Sequence, residues 1–431
     1  MSAQFGSTIL LGSFILLLIL KFPITFSLFF SSILTALYLN IPLMSIVQRL
    51  VSGVNSFSLL AIPFFILSGE IMSQGGISRR LVGFANALVG RVRGGLAQVN
   101  ILASMFFGGI SGSAVADVSS IGAMLIPMMV EDGYDTDFSV AVTVTSACEG
   151  ILIPPSHNMI IFAMAAGGGV SVGKLFLGGV IPGVGLGLLL MIPTAIISIR
   201  RNYPKQAGYG LKQTLILARD AFFGLFTIII IMGGVISGVF TATESAAVAA
   251  VYSFIITFFV YREIPVRQIG SILRNSMKTL AMVMSLIAAA SSFGYLMAYL
   301  RIPQSVTTGL ITITSNRVLL ILLVNLMLLV LGSIMDMAPL IVITTPILYP
   351  VMVGYLGMNP IQFGVMLILN LAIGLTTPPV GSAIFVGCSI GKISIEEVTK
   401  AILPFWLSMI FMLMLVSFWP AVTTFLPSFM G

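Results

Sequence analysis

The sequence predicts an all-α polytopic membrane protein with two inverted repeats. Each repeat holds a re-entrant helical hairpin and a broken transmembrane helix. Three observations predict this. The chain of 431 residues is 58% hydrophobic and only 8% charged, whereas a soluble domain carries roughly 25% charged residues. Two apolar segments, 95–130 and 318–353, are interrupted midway by Gly, Ser and Asp. Matching glycines and prolines recur in the two halves at one constant offset.

The uninterrupted apolar runs place spans near 5–21, 24–41, 56–73, 138–167, 178–199, 220–240, 242–261, 279–300, 361–390 and 404–427. Stretches such as AFFGLFTIIIIMGGVISGV, from Ala221, are long enough to cross a hydrocarbon core of about 30 Å. The N-terminus lacks a basic region followed by a small-residue cleavage site, so the first run is expected to stay as a span. Cys148 and Cys388 lie far apart in apolar segments, without disulfide or metal-ligand spacing.

The net charge of +7 is a topology signal rather than a nucleic-acid footprint. Most of the 20 basic residues fall in three loops. Arg79, Arg80, Arg91 and Arg93 lie in the first, and Arg200, Arg201, Lys205, Lys212 and Arg219 in the second. Arg262, Arg267, Arg274 and Lys278 lie in the third. Positive loops stay cytoplasmic, and all three share a side only if 95–130 enters and returns as a hairpin. The same count sets both termini outside.

The interrupted regions align. SGSAVADV (111–118) resembles LGSIMDM (331–337), and Pro127 follows Asp117 as Pro346 follows Asp336. EGILIPPSHN (149–158) resembles IGLTTPPVGS (373–382). Gly133, Asp135, Gly150, Pro154 and Pro155 map onto Gly357, Asn359, Gly374, Pro378 and Pro379. The expected organisation is 1–55 as N-terminal scaffold helices and 56–199 as repeat 1, with hairpin 95–130 and broken helix 138–167. Cytoplasmic loops and linking helices follow over 200–278. Repeat 2 is 279–431, with hairpin 318–353 and broken helix 361–390. Duplication around interrupted helices points to a secondary transporter.

Irregular backbone survives at membrane depth only where it is buried in protein or lines a watery cavity. Glycine allows the tight tip, and proline removes a donor. The carbonyls so freed, with nearby hydroxyls, suit a hard cation such as Na⁺. Half-helix N-termini suit an anion. The Ser111–Ser113 tip facing Pro154–Pro155 makes one expected site, and Gly332–Ser333 facing Thr376–Pro379 the other.

Taken together, GGISGSAVADVSSIGAMLIPMM (108–129), ILIPPSHNMI (151–160), GVFTATESAAVAAVY (238–252), LGSIMDMAPLIVITTPIL (331–348) and GLTTPPVGSAIFV (374–386) are specific. Through them the chain resembles the large, DctM-like membrane subunit of tripartite ATP-independent periplasmic (TRAP) transporters. The resemblance implies an elevator-type transport domain in the bacterial inner membrane. It implies Na⁺-coupled import of organic acids such as C4-dicarboxylates, sugar acids or keto acids. It also implies a small four-helix membrane subunit, encoded separately, and a soluble periplasmic substrate-binding protein. No organic cofactor, nucleic acid or enzymatic activity is expected. The family's T-P-T-E reads Thr241-Ala242-Thr243-Glu244 here, and Ser146-Ala147-Cys148-Glu149 precedes the first Pro-Pro where small polar residues are usual.

The expected Na⁺ ligands are Ser111, Gly112, Ser113, Ser146 and Pro154, and in the second repeat Gly332, Ser333, Gly374, Thr377 and Val380, mostly through backbone carbonyls. Ser156, His157, Asn158, Gly381 and Ser382 are the expected substrate-cavity residues. Asp117, Glu149, Glu244 and Asp336 are read as structural acids. Asp117 and Asp336 occupy matching positions, each capping the helix after its tip, with direct ion or proton coupling as the alternative. Glu244, before a run of alanines, belongs in a first helical turn. Glu70 snorkels near a boundary, and the 25 methionines are adaptable packing.

GGVSVGKL (168–175) approaches a phosphate-binding loop but ends in Leu175, without the Mg²⁺ hydroxyl. Two other functions compete. A self-sufficient Na⁺/carboxylate carrier would need no binding protein. An intramembrane serine hydrolase would pair Ser111 with His157, but leaves the duplication unexplained.

Overall fold

The computed structural model describes residues 2–206 and 208–430. Its regular elements are helices, apart from one isolated bridge between Arg93 and Lys205. Helices α1 (Ser2–Ile19) and α2 (Ile24–Tyr38) pack side by side and are parted at Pro23. The ring lacks an N–H and fixes φ, so it starts a helix more readily than it continues one. Helix α3 (Leu43–Val54) was in no expected span. It is short and buries only Ile46, and Arg49 lies 4.6 Å from the centre of the Tyr295 ring.

Helix α4 (Ala61–Gln74) leads into α5 (Ile77–Val89). This stretch carries Arg79 and Arg80 of the first expected basic loop. Its apolar Ile77, Leu81, Val82 and Ala85 instead share one buried helical face. Next come α6 (Gly95–Ser111) and α7 (Ala114–Glu131), the two arms of the first hairpin. Helices α8 (Thr136–Leu152) and α9 (His157–Ala165) are bent by 53° across a short break. Helix α10 (Val172–Arg200) is unbroken over 29 residues. Ser171 caps it by accepting from the Lys174 N–H, so the approximate phosphate-loop motif is a helix start here.

Two long linking helices follow, α11 (Leu211–Ile236) and α12 (Ala242–Tyr261). Thr241 and Glu244 close a reciprocal capping box at the start of α12. Then come α13 (Ile269–Tyr299), α14 (Ile302–Ile313) and the second hairpin, α15 (Arg317–Ile334) with α16 (Met337–Tyr355). Helix α14 occupies the connection between the expected span 279–300 and the interrupted segment that begins at 318. The second broken helix is α17 (Pro360–Gly374) with α18 (Ser382–Gly391). Helix α19 (Ile395–Phe418) starts earlier than the expected 404, because Ser394 and Glu397 form a second capping box and Pro404 lies within the helix.

Eight helices among the described residues are long and apolar enough to cross a membrane. Helix α10 exposes Leu188, Ile192, Ile196 and Ile199 and buries Leu186, Leu190 and Thr194. An exposed apolar stripe of this kind suits lipid and not water.

The three basic loops meet on one face. Arg80 Nη2 pairs with Glu263 at 2.6 Å, and its guanidinium lies 3.7 Å from the centre of the Tyr261 ring. Arg93 donates to Asn202 at 2.7 Å, and Arg91 to the Tyr209 carbonyl. Both ends of the first hairpin reach this face. The Gly94 N–H donates to the Pro204 carbonyl, and Tyr134, just past α7, stacks on Tyr203 at 4.4 Å. Gly94 also abuts Ser198, near the C-terminal end of α10. The open end of the second hairpin leads into Pro360. Neighbouring Ile361 touches Gly178, near the N-terminal end of α10. The hairpins therefore open at opposite ends of one long helix.

Candidate functional site

Each hairpin tip is pressed onto the break of the broken helix in its own half. In the second half, Gly332 and Gly374 meet with no side chain between them. The Val380 N–H donates to the Ser333 carbonyl at 2.9 Å. Ser382, in the first turn of α18, donates from its hydroxyl to Asp336 Oδ1 at 3.2 Å. The break is pinned from behind as well. Trp406 Nε1–H of α19 donates to Thr376 Oγ1 at 2.9 Å, and Thr376 and Thr377 donate their hydroxyls to the Ile373 carbonyl.

The first half repeats this contact. A Cβ on Gly150 would stand 2.7 Å from Gly108 Cα. Gly112, with a φ of 59° that favours glycine, faces the Pro155 carbonyl and Ser156. Both breaks hold a cis Pro-Pro bond, Pro154–Pro155 and Pro378–Pro379. Gly108 and Gly150 stand to Gly332 and Gly374 at the offset that relates the two Pro-Pro pairs.

The two halves interlock. Helix α9 packs on α16, and α18 packs on α7. Cys148 Sγ donates to the Ala372 carbonyl at 3.2 Å, joining the two broken helices. His157, in the first turn of α9, lies within electrostatic reach of Asp336 at the opposite tip. Ser156, His157, Asn158, Gly381 and Ser382 thus flank the starts of α9 and α18.

Several expected ligands are engaged otherwise. The Ser113 hydroxyl caps α7 by accepting from the Ala116 N–H, and Ser111 Oγ accepts from the Ser113 N–H. The Ser333 hydroxyl donates to the Val330 carbonyl. Ser146 lies away from the tip. Its hydroxyl donates to the Thr143 carbonyl at 3.1 Å and faces Ser104 and Asn100 between α6 and α8. The carbonyls of Gly112, Pro154, Pro155, Pro378 and Val380 accept no hydrogen bond among the described residues. Pro154, Pro155 and Gly112 are buried, whereas Val380 is exposed. Such oxygens can ligate a cation.

The expected equivalence of Asp117 and Asp336 is corrected. Asp336 sits at the N-cap of α16, the place that Ser113 holds on α7. Asp117 lies a turn further on, inside α7. Neither carboxylate caps a helix, since Ser113 does so in the first hairpin and Asp336 turns to Ser382 in the second. The equal spacing to Pro127 and Pro346 misled because it is counted from the N-cap residue in the second hairpin but from a residue four places past the N-cap in the first. Among the described residues no hydrogen bond joins Ser111 to His157, the pair a hydrolase would need.

Sequence reasoning overlooked the polar pairs that hold each hairpin to its broken helix. Asn370 Nδ2–H donates to Asn325 Oδ1 at 2.9 Å and to its carbonyl at 3.0 Å. Asn325 in turn donates to the Ser417 hydroxyl at 3.1 Å. Asn100 donates to Thr143 Oγ1 at 2.6 Å in the first half. The available signal was an amide inside an apolar helix, which at that depth needs a partner. Trp406 carried a similar signal in its indole N–H.

At the open end of the first hairpin, Arg201 Nη1 bridges Asp135 at 2.7 Å and Asp137 at 3.1 Å. The Tyr203 hydroxyl donates to Asp135 at 2.6 Å. That bond, and Arg201 beside it, hold the Asp135 carboxyl below its ordinary range. Burial and the nearby Asp135 push Tyr203 up to about 12.

Residues 11–422 match the model of the family described as tripartite ATP-independent periplasmic transporter, DctM component. A C4-dicarboxylate TRAP transporter large permease protein of Vibrio cholerae is 40% identical over 96% of this chain and 95% of its own length. A sialic acid TRAP transporter large permease protein of the same organism is 36% identical over 96% and 97%. Among solved structures, the YdaH transporter of Alcanivorax borkumensis covers 88% of this chain and 89% of its own at a TM-score of 0.63. At 15% identity it speaks to the fold alone.

Proposed function

The chain belongs to the DctM family, the large permease component of TRAP transporters of the bacterial inner membrane, and from that premise we propose that it carries organic acids inward with Na⁺. The observation that carries this reading is the doubled contact of hairpin tip with Pro-Pro break, set toward opposite ends of α10. An alternating-access carrier needs a gate at each face, and two hairpins of opposite orientation supply them. Sodium binds where backbone oxygens lack partners: Gly112, Pro154 and Pro155 at the first tip, Pro378 and Val380 at the second. An anionic substrate sits between the starts of α9 and α18, whose N–H groups and positive dipole ends favour a carboxylate. The two hairpins and broken helices move as one body against α1–α4 and α11–α13, in the manner of an elevator.

The partners are a small membrane subunit and a soluble binding protein that delivers the acid. The substrate class is an organic acid, C4-dicarboxylate, sugar acid or keto acid. The two Vibrio cholerae relatives are close in identity to this chain yet carry different substrates in their names, so overall similarity does not choose among these. Uptake of labelled organic acids into proteoliposomes tests the reading. The vesicles hold this chain and its small subunit, with and without binding protein and an inward Na⁺ gradient. Uptake that needs both supports it. Uptake by this chain alone replaces it with the self-sufficient carrier.

A further inference from the structure

Two carboxylates lie at the heart of the first half and take no part in the tip contacts. Asp117 of α7 and Glu149 of α8 are 1% and 0% exposed. None of their four carboxylate oxygens has a hydrogen-bond partner of ordinary geometry among the described residues. They lie within electrostatic reach of each other. The side chain of Asp117 is faced by the Ser104 hydroxyl. Glu149 is worse placed. A Cβ on Gly187 of α10 would stand 2.5 Å from its Oε2 and 2.6 Å from the Met105 sulfur, so the carboxyl is set against bare backbone and a thioether.

The helices packed on the pair bring no basic side chain to it among the described residues. Helices α6, α17 and α18 contain no Lys, Arg or His, and α10 carries its basic residues only at Lys174 and Arg200, near its two ends. On α8 and α7 the remaining acids, Asp137 and Glu131, lie at the far, loop-side ends. The Cys148 thiol, which donates to the Ala372 carbonyl, also lies within electrostatic reach of the pair. Two ionised carboxylates buried within electrostatic reach of each other, on helices that bring no basic side chain to them, would be strongly disfavoured. A protonated carboxyl removes one charge and gains an O–H donor.

We propose that Asp117 and Glu149 form a proton-binding carboxyl pair inside the first hairpin assembly, with the proton resident on Glu149. Glu149 takes the proton because it has no donor facing it, whereas Asp117 has Ser104. The step is simple proton binding: a carboxylate lone pair bonds H⁺ and one negative charge is lost. The ligand is thus H⁺, distinct from the Na⁺ of the tips.

The test is infrared difference spectroscopy of the full-length chain in lipid nanodiscs at neutral pH, which requires no transport. A protonated-carboxyl C=O band is expected in the wild type. Glu149→Gln should abolish it and Asp117→Asn should retain it. If wild type minus Glu149→Gln shows only ionised-carboxylate bands, the proposal is overturned. It is equally overturned if Na⁺ at neutral pH removes the C=O band, which would make the pair a metal-cation site. Should Glu149→Gln fail to fold, Asp117→Asn decides alone: persistence of the band supports the proposal and its loss overturns it.

Discussion

Gly332 and Gly374 touch backbone to backbone: a Cβ on Gly374 would stand 2.5 Å from the Gly332 carbonyl carbon, and one on Gly332 would stand 3.2 Å from Gly374 Cα. Neither neighbour is a flexible side chain that can step aside. Overpacking of this kind costs about 1–3 kcal/mol, and here it pries the tip from the break. Gly374→Ala should therefore abolish most of the uptake measured in proteoliposomes, and Gly332→Ala should reduce it less. Thr377→Ala removes only a hydroxyl bonded within its own turn and should do least. Uptake measured for the three variants at equal membrane levels gives the order, and equal tolerance would defeat the close-contact account.

Asp336 and Ser382 join the second tip to α18 through one hydrogen bond. A bond of this type contributes about 0.5–1.5 kcal/mol net. Ser382→Ala should raise the apparent KM by up to about tenfold at that energy, with the chain still folded. A kinetic series with the melting temperature as control measures it. A change in melting temperature with KM intact would assign the bond to stability alone.

Asn325 and Asn370 bind the second hairpin to α17 through two hydrogen bonds. Polar contacts between helices in a bilayer are worth about 1–2 kcal/mol in model systems. Asn370→Ala also strands the Asn325 amide oxygen in the core. The melting temperature in nanodiscs should fall, and Asn370→Ser should recover part of the loss. No fall would mean that the amides are satisfied in another way.

The Arg201 bridge gives a pH signature. Asp135 has its pKa lowered in the folded protein by the Tyr203 hydroxyl and by Arg201. A depressed carboxylate stabilises the fold above its unfolded pKa of about 3.9, and that contribution is lost as pH falls through the lower folded value. At neutral pH, Asp135→Asn should melt slightly earlier than wild type, by no more than the roughly 1 kcal/mol typical of exposed pairs. The two melting curves should converge in strong acid. A gap that persists there would point to packing rather than charge.

The sequence alone determined the class, the two hairpins, the two Pro-Pro breaks and the family. These follow from local properties. An apolar run has nowhere to go but lipid, and a tip or a proline break cannot be hidden within a straight helix. Glu244 was readable for the same reason, since a capping box is complete within four residues. The amphipathic α5 was legible in principle, from the buried spacing of Ile77, Leu81 and Ala85, but its arginines read as a loop. What tertiary structure decided is which groups are already spent. Ser113 and Ser333 have the residue type for an ion site, yet one caps a helix and the other bonds within its turn. Ser146 faces Asn100 and Ser104 instead of the tip. Asp117 and Asp336 share a spacing but not a place, because one lies inside its helix unpartnered and the other sits at the helix start on Ser382. A polar side chain's role depends on the partner that packing brings to it, often from more than forty residues away, and no single stretch of sequence carries that information.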